Sequence, residues 1–270
     1  MVPTRKRSTG KLMLALASGL VLGFLILPIL VIVPLSFNDS RYLALPFQGF
    51  TWRWYEDFFS STAWREALIN SLSIAVATMA LSTILGTAAA IGLANGKVRG
   101  RKVIETLLLA PLIAPAVIVG VGIYFVFSML GLTQSMLGLV LAHTALAAPF
   151  VVVTVGAAMT ALDKRLLWAA ASMGARPWHA FRKITLPIIA PGIASGALFS
   201  FTTSLDEIVI TLFLAGPGQR TLPREMFSAA RDTITPTLAA AATTMIVFST
   251  ILLVASLLVK GRTDDRAQKS

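Results

Sequence analysis

The chain contains no cysteine, which excludes disulfides, zinc–thiolate sites and iron–sulfur clusters. Its two histidines, His143 and His179, are too few and too far apart in sequence for a metal site. Charge is scarce at 13% of the 270 residues and lopsided, with 23 Lys and Arg against 12 Asp and Glu. No GxxxxGKS/T loop is present to cradle phosphates, and Gly120, Gly122, Gly216 and Gly218 lack the strand-to-helix setting that nucleotide binding needs. HExxH is absent as well, and Ser195 lies in IASG rather than in a GxSG nucleophile motif. A membrane-embedded hydrolase is therefore without its nucleophile or its metal ligands. Internal repeats, low-complexity tracts and a separate soluble domain are also missing.

What fills the chain is apolar residue, 56% of the total, a membrane composition rather than that of a soluble core. A bilayer forces the backbone to satisfy its own hydrogen bonds, and long uninterrupted apolar runs do so as helices. The expected fold class is thus an all-α membrane protein with six transmembrane helices. Span one covers Leu12 to Leu35, too long for the core of a signal peptide, with Pro28 a candidate kink and Gly19 and Gly23 a GxxxG pair. Span two, Leu68 to Ala94, carries Ser71, Ser73, Thr78, Ser82, Thr83, Gly86 and Thr87, the small and hydroxyl residues of a helix buried among helices. Span three, Ile104 to Leu130, holds Pro111 and Pro115 in its first half, breaks tolerated where helices line an interior. Span four covers Met136 to Ala161 and contains His143, which a neighbouring helix is expected to satisfy. Span five begins near Ile188, and span six covers Leu238 to Val259. Between spans one and two, Trp52, Trp54, Tyr55, Phe58, Phe59 and Trp64 crowd a segment that suits the headgroup level of the outer surface.

The basic residues orient this layout. Seventeen of the 23 fall in the N-terminus, the loop Asn95 to Lys102, the loop Leu162 to Leu186 and the tail Lys260 to Ser270. That distribution reads as membrane topology rather than nucleic-acid binding, with both termini in the cytoplasm. The domain division follows: residues 1–11 a cytoplasmic N-terminus, 12–259 the six-span domain, and 260–270 a polar, mobile cytoplasmic tail.

The loop from Leu162 to Leu186 organises the rest. Ala169, Ala170, Ala171 and Met173 favour a short helix that Gly174 can end with a backbone angle other residues resist. Pro177 suits the first turn of a second piece carrying Trp178, Phe181 and Ile184, and Pro187 and Pro191 mark the start of span five. The spacing of Ala169, Ala170, Gly174, Ile184, Leu186 and Pro187 resembles the coupling loop of ABC-importer permeases, whose pattern is Glu-Ala-Ala, Gly four residues on, and Ile-x-Leu-Pro about nine residues later. Trp168 stands where that family has Glu. The segment FTTSLDEIVITLFLAGPGQRTLPREMFSAARDTITPTLAA looks most like the second permease subunit of spermidine/putrescine-type importers.

The resemblance covers nearly the whole chain from Leu27 onward and implies a type I ABC-importer permease fold in a bacterial inner membrane. It implies a second permease subunit, an ATPase subunit dimer and an external substrate-binding protein as partners, and transport by alternating access. ATP and Mg would act through the partner ATPase, with no cofactor on this chain. Leu166, Leu167, Ala170 and Met173 are candidates for an apolar face against the ATPase, with Trp178 and Phe181 bracing the loop against the spans. Competing readings are another substrate within the class (an opine, a phosphonate or a metal ion) and a non-transporting sensor or scaffold.

Asp206 and Glu207 are adjacent acids within the apolar segment Ile188 to Ala215. Charge in a membrane is costly and functional by default. Counting along a helix from Pro187 sets Asp206 near the outer edge of a hydrocarbon core, so the span is expected to break at Thr202 to Ser204, with Ile208 to Ala215 folding back. Two readings stand: both acids are structural, or one faces the pathway as a gate for a cationic substrate while the other pairs with an arginine such as Arg220 or Arg224.

Overall fold

The computed structural model describes residues 9–43, 46–94, 98–232 and 234–267, with side chains described as far as residue 254. Most of the basic N-terminus, Lys97 and the last residues of the tail lie outside that set. The described chain is helical throughout, apart from turns and one isolated bridge between Asn38 and Phe50. It divides into two compact units: Met1–Ser61 with Ser228–Phe248, and Thr62–Phe227 with Ser249–Ser270.

In the first unit, α1 (Thr9–Leu35) contains Pro28 and continues beyond it. Residues 10–31 of this helix are all exposed in the chain, as suits a helix facing lipid or another subunit. The segment that follows folds on itself. The Asp39 amide donates to the Gly49 carbonyl (2.9 Å), Thr51 to Phe37 (2.8 Å), and the Trp54 indole to the Asn38 carbonyl (2.8 Å). Phe37 stacks on Phe50 at 5.0 Å, with Trp52 and Tyr55 each 5.0 Å from Phe37. These rings fill the space between one another. Next comes α2 (Arg53–Ser60), which buries Phe58 and fixes Asp57 through a hydrogen bond from Thr237 (2.7 Å).

The second unit contains α3 (Thr62–Ala94), α4 (Arg101–Ile113), α5 (Ala116–Met129), α6 (Met136–Thr160), α7 (Lys164–Ser172), α8 (Pro177–Ala180), α9 (Leu186–Leu205) and α10 (Val209–Leu214). Beyond them, α11 (Leu222–Asp232) and α12 (Pro236–Ala267) complete the chain. Among the described residues five helices are long and apolar enough to cross a membrane, and α4 and α5 pass that test only together, bent by 111° at the break between them. Pro111 sits inside α4 without ending it. The break lies at Ala114 and Pro115, both in extended backbone with ψ of 140° and 128°. A proline disfavours helical backbone in the residue before it, and its missing N–H removes the bond that would carry the helix on.

At the far end, α12 runs on to Ala267, so the tail expected to be mobile from Lys260 begins as more helix. Within the second unit α3, α6 and α9 pack as a tight trio through small residues, as helices in lipid do. A Cβ at Gly196 would lie 2.5 Å from Thr154 Oγ1 and 2.9 Å from Val151 Cα, and one at Gly86 would lie 2.7 Å from Val151 Cβ. Ser82 and Ser200 hydrogen-bond each other across the same seam.

Candidate functional site

Two places gather the singled-out residues. The first is the loop after α6. Asp163 caps α7 by accepting the Arg165 amide (2.9 Å). Gly174 has φ of +79°, its N–H bonds the Ala171 carbonyl (3.0 Å), and the Ala175 N–H bonds the Ala170 carbonyl (3.0 Å). That pair of bonds is the Schellman ending, which needs a left-handed residue at this point. Pro177 then opens α8. Phe181–Thr185 wind as a π-turn, with the Leu186 N–H reaching the Phe181 carbonyl. The wide turn resolves a steric problem, because a proline at 187 would press on the carbonyl of Lys183 in a regular helix. Pro187 is therefore not where a new helix starts. The helix is continuous from Pro177 to Leu205.

The apolar face differs from the expected one. Ala170 is buried at 5% exposure and Leu167 is half-buried, so neither belongs to an open docking face. The outward apolar residues are Leu166, Trp168, Met173 and Trp178, with Trp168 69% exposed and Met173 82%. Trp178 does not brace the spans. It is 70% exposed and stacks on Phe181 at 5.4 Å. Ala169, Leu186 and Pro187 are exposed and Ile184 is half-buried.

The second place is the junction of α9 and α10. The helix persists past Thr202, whose hydroxyl back-bonds to the Leu198 and Phe199 carbonyls (both 3.1 Å), and ends at Leu205. The break thus comes at Asp206 to Ile208, later than expected. Nor does the chain fold back. Ser204 and Thr211 both lie against His143, while Leu214 further on accepts the Gln134 amide (2.8 Å) beyond the start of α6. The chain sidesteps at the acids and continues in its former direction.

His143 is buried, seven residues after the first residue of α6. Nδ1 lies 2.8 Å from the Ser204 hydroxyl and Nε2 3.3 Å from that of Thr211. The Thr211 hydroxyl also lies 3.3 Å from the Glu207 carbonyl, and the tautomer of the imidazole sets which partner donates at each ring nitrogen. Both ring nitrogens are satisfied, as expected of a histidine within a span.

The acids part company here. Glu207 Oε1 accepts the Ile210 amide (2.9 Å) and so caps α10. Asp206 is exposed, and no ion pair to it occurs among the described residues. The expected pairing with Arg220 or Arg224 does not form. Arg220 instead pairs with Glu225 (3.3 Å). Arg224 donates to the Ala215 carbonyl (2.6 Å) at the end of α10. Burial and the neighbouring Arg220 lower its pKa from the usual value, and Glu225 opposes that shift. Arg224, Gln134 and the His143 partners are the residues sequence reasoning missed. The available signal was the need of a buried imidazole for two polar partners, and Ser204 and Thr211 flank the acids.

A family model described as "Binding-protein-dependent transport system inner membrane component" matches residues 82–265. The chain is 36% identical over 239 residues to the spermidine/putrescine transport system permease protein PotC of Haemophilus influenzae, covering 88% of this chain and 93% of that one. It is 38% identical over 233 residues to the putrescine transport system permease protein PotI of Escherichia coli K12, covering 83% of each. In fold it is similar to a chain of a bacterial ABC transporter involved in the import of the acidic polysaccharide alginate, with TM-score 0.71, 16% identity, and coverage of 97% of this chain and 99% of that one.

Proposed function

This chain belongs to the family of binding-protein-dependent transport system inner membrane components, and from that membership we propose that it passes a small organic cation, spermidine or putrescine, through an ATP-driven importer. It is a multi-pass inner-membrane permease of the ABC-importer kind. The proposal adds the substrate and the way the work is shared. A receptor outside delivers the cation, and this chain and a second permease enclose the path. A pair of ATPase subunits binds ATP and Mg on the cytoplasmic side, where both termini and the α7–α8 loop also lie. The open apolar surface of Leu166, Trp168, Met173 and Trp178 supports docking of an ATPase there, since large exposed aromatics among polar residues suit an interface core. The loop carries Trp168, Ala169, Ala170, Gly174, Ile184, Leu186 and Pro187 in the coupling role, with Ala170 acting from inside the turn.

The observation that carries the cation reading is the unpaired Asp206 carboxylate. It sits at a helix break level with His143, about 10 Å inside the start of α6 at 1.5 Å per residue. Of the two acids only Asp206 is free to meet substrate, because Glu207 is committed to α10. A fixed negative charge in a low-dielectric path draws multiply charged ammonium groups and repels anions. Uptake by the assembled complex in proteoliposomes, across a panel of polyamines, phosphonates and opines, tests this. Asp206→Asn is expected to cut polyamine uptake about tenfold or more, the loss of one charge-assisted contact, while basal ATP hydrolysis holds. Undiminished uptake by Asp206→Asn would remove the gate. Uptake of only non-cationic solutes by the wild type would overturn the substrate class.

A further inference from the structure

The glycines of the helix trio divide into two kinds. Gly86, Gly192 and Gly196 are pressed by atoms of neighbouring helices, whereas a Cβ added at Gly156 would meet nothing within 4 Å. Packing therefore gives no reason for a glycine at 156. What Gly156 borders is a cavity of about 390 Å³ formed by the end of α3, the first turns of α4 and the end of α6. Its walls are apolar: Leu93, Leu109, Val152, Val153 and Met159. Among the described residues that line it the charged ones are Arg101 and Glu105, joined at 2.7 Å at the start of α4, with Thr160 also polar.

The chemistry of that arrangement is selective. Arg101 is the first residue of α4 and follows the basic residue Arg99, and the apolar lining runs on from the pair along α4 and α6. An organic cation would have to desolvate beside a guanidinium and hydrocarbon, which disfavours the transported solute here. A purely anionic amphiphile would meet the Glu105 carboxylate. A zwitterion satisfies both charges. The Arg101–Glu105 pair is half-exposed, 48% and 35%, and such exposed pairs contribute little, so it is readily exchanged for better partners.

We propose that this cavity binds a phospholipid of the phosphatidylethanolamine type. One acyl chain occupies the space beside Gly156, the phosphate bonds the Arg101 guanidinium, and the primary ammonium bonds the Glu105 carboxylate. Guanidinium is suited to phosphate through its paired donors, and a primary ammonium has N–H groups for the carboxylate that a quaternary one lacks. The site is independent of what the protein transports and of the role of Asp206.

The test uses the full chain, purified with the subunits it assembles with and exchanged into bilayer discs of equal parts phosphatidylethanolamine, phosphatidylcholine and phosphatidylglycerol. Native mass spectrometry then counts the lipid retained after delipidation. Wild type is expected to keep one phosphatidylethanolamine per chain. Gly156→Leu, which enters open space and favours helix, is expected to abolish retention with assembly unchanged. Arg101→Gln is expected to weaken retention about tenfold or more. Glu105→Gln keeps the size of a side chain that lines the cavity and removes only its charge, and is expected to bind phosphatidylethanolamine and phosphatidylcholine equally. Absence of retained lipid on the wild type would overturn the proposal, as would equal retention by Gly156→Leu. Preferred retention of phosphatidylglycerol, or unchanged headgroup preference in Glu105→Gln, would overturn the assignment of the two charges.

Discussion

Gly174 allows the coupling role to be tested through a single backbone angle. Its φ is +79°, and a Cβ there would meet nothing within 4 Å. Substitution therefore introduces no clash, and any effect must come from the cost of holding an L-residue in left-handed backbone. That cost is roughly 1–2 kcal/mol for alanine, a factor of about 5–30 in the ratio of correctly turned to misturned loops. Asparagine visits this region more readily, and valine, branched at Cβ, resists it most. Misturning gives up the Ala175-to-Ala170 and Gly174-to-Ala171 hydrogen bonds and re-aims α8, with Trp178, relative to α7, with Trp168. Uptake and substrate-stimulated ATP hydrolysis are expected to fall in the order Gly, Asn, Ala, Val, with yield of the assembled complex unchanged because the turn is exposed. Wild-type coupling in Gly174→Val would refute the reasoning. So would Gly174→Asn proving the worst of the three, since that order cannot arise from φ.

Trp168→Ala is expected to leave the fold intact and weaken association with the ATPase by about 2 kcal/mol, the loss of an aromatic anchor; unchanged affinity in a pull-down titration would show that the indole carries none of the interface. Gly196→Leu forces atoms into the backbone of α6 near Val151, and is expected to lower stability by at least about 1–3 kcal/mol, read as a drop in thermal unfolding temperature. Arg224→Met leaves the Ala215 carbonyl without its side-chain donor. Amide exchange across Val209–Leu214 should speed up while that in α3 stays constant, and equal protection would mean that Arg224 does not pin α10.

The membrane helices were legible because a bilayer leaves long apolar runs only one option, and the turn after α7 because Gly174 supplies the left-handed backbone that ends a helix there. The break in span three was legible as prolines, yet Pro111 and Pro115 look alike in sequence and only the second ends a helix. The break before α10 was expected at hydroxyl residues. Thr202 spends its hydroxyl on its own helix and Ser204 on His143, so neither releases the backbone. The different tasks of Asp206 and Glu207 were hidden for a related reason. A carboxylate that accepts an amide three residues on has the same sequence signature as one left exposed without an ion pair. Partners such as Arg224 and Ala215 meet only once α10 has stepped aside, and no local pattern announces that step.

The π-turn at Phe181–Thr185 has a mechanical consequence. By accommodating Pro187 without ending the helix, it makes Pro177–Leu205 one continuous helix that starts in the loop after α7. Twenty-nine residues of helix span about 43 Å at 1.5 Å per residue. A tilt of about 5° at one end sweeps the other through about 4 Å over that length. The far end carries Ser204, held to His143 by a hydrogen bond of 2.8 Å. A displacement of that size parts them, frees the imidazole and shifts the ledge on which Asp206 stands. A hinge at Pro187 would have absorbed the same tilt within the first turn. The wide turn instead keeps the proline inside one helix that runs from that loop to Ser204.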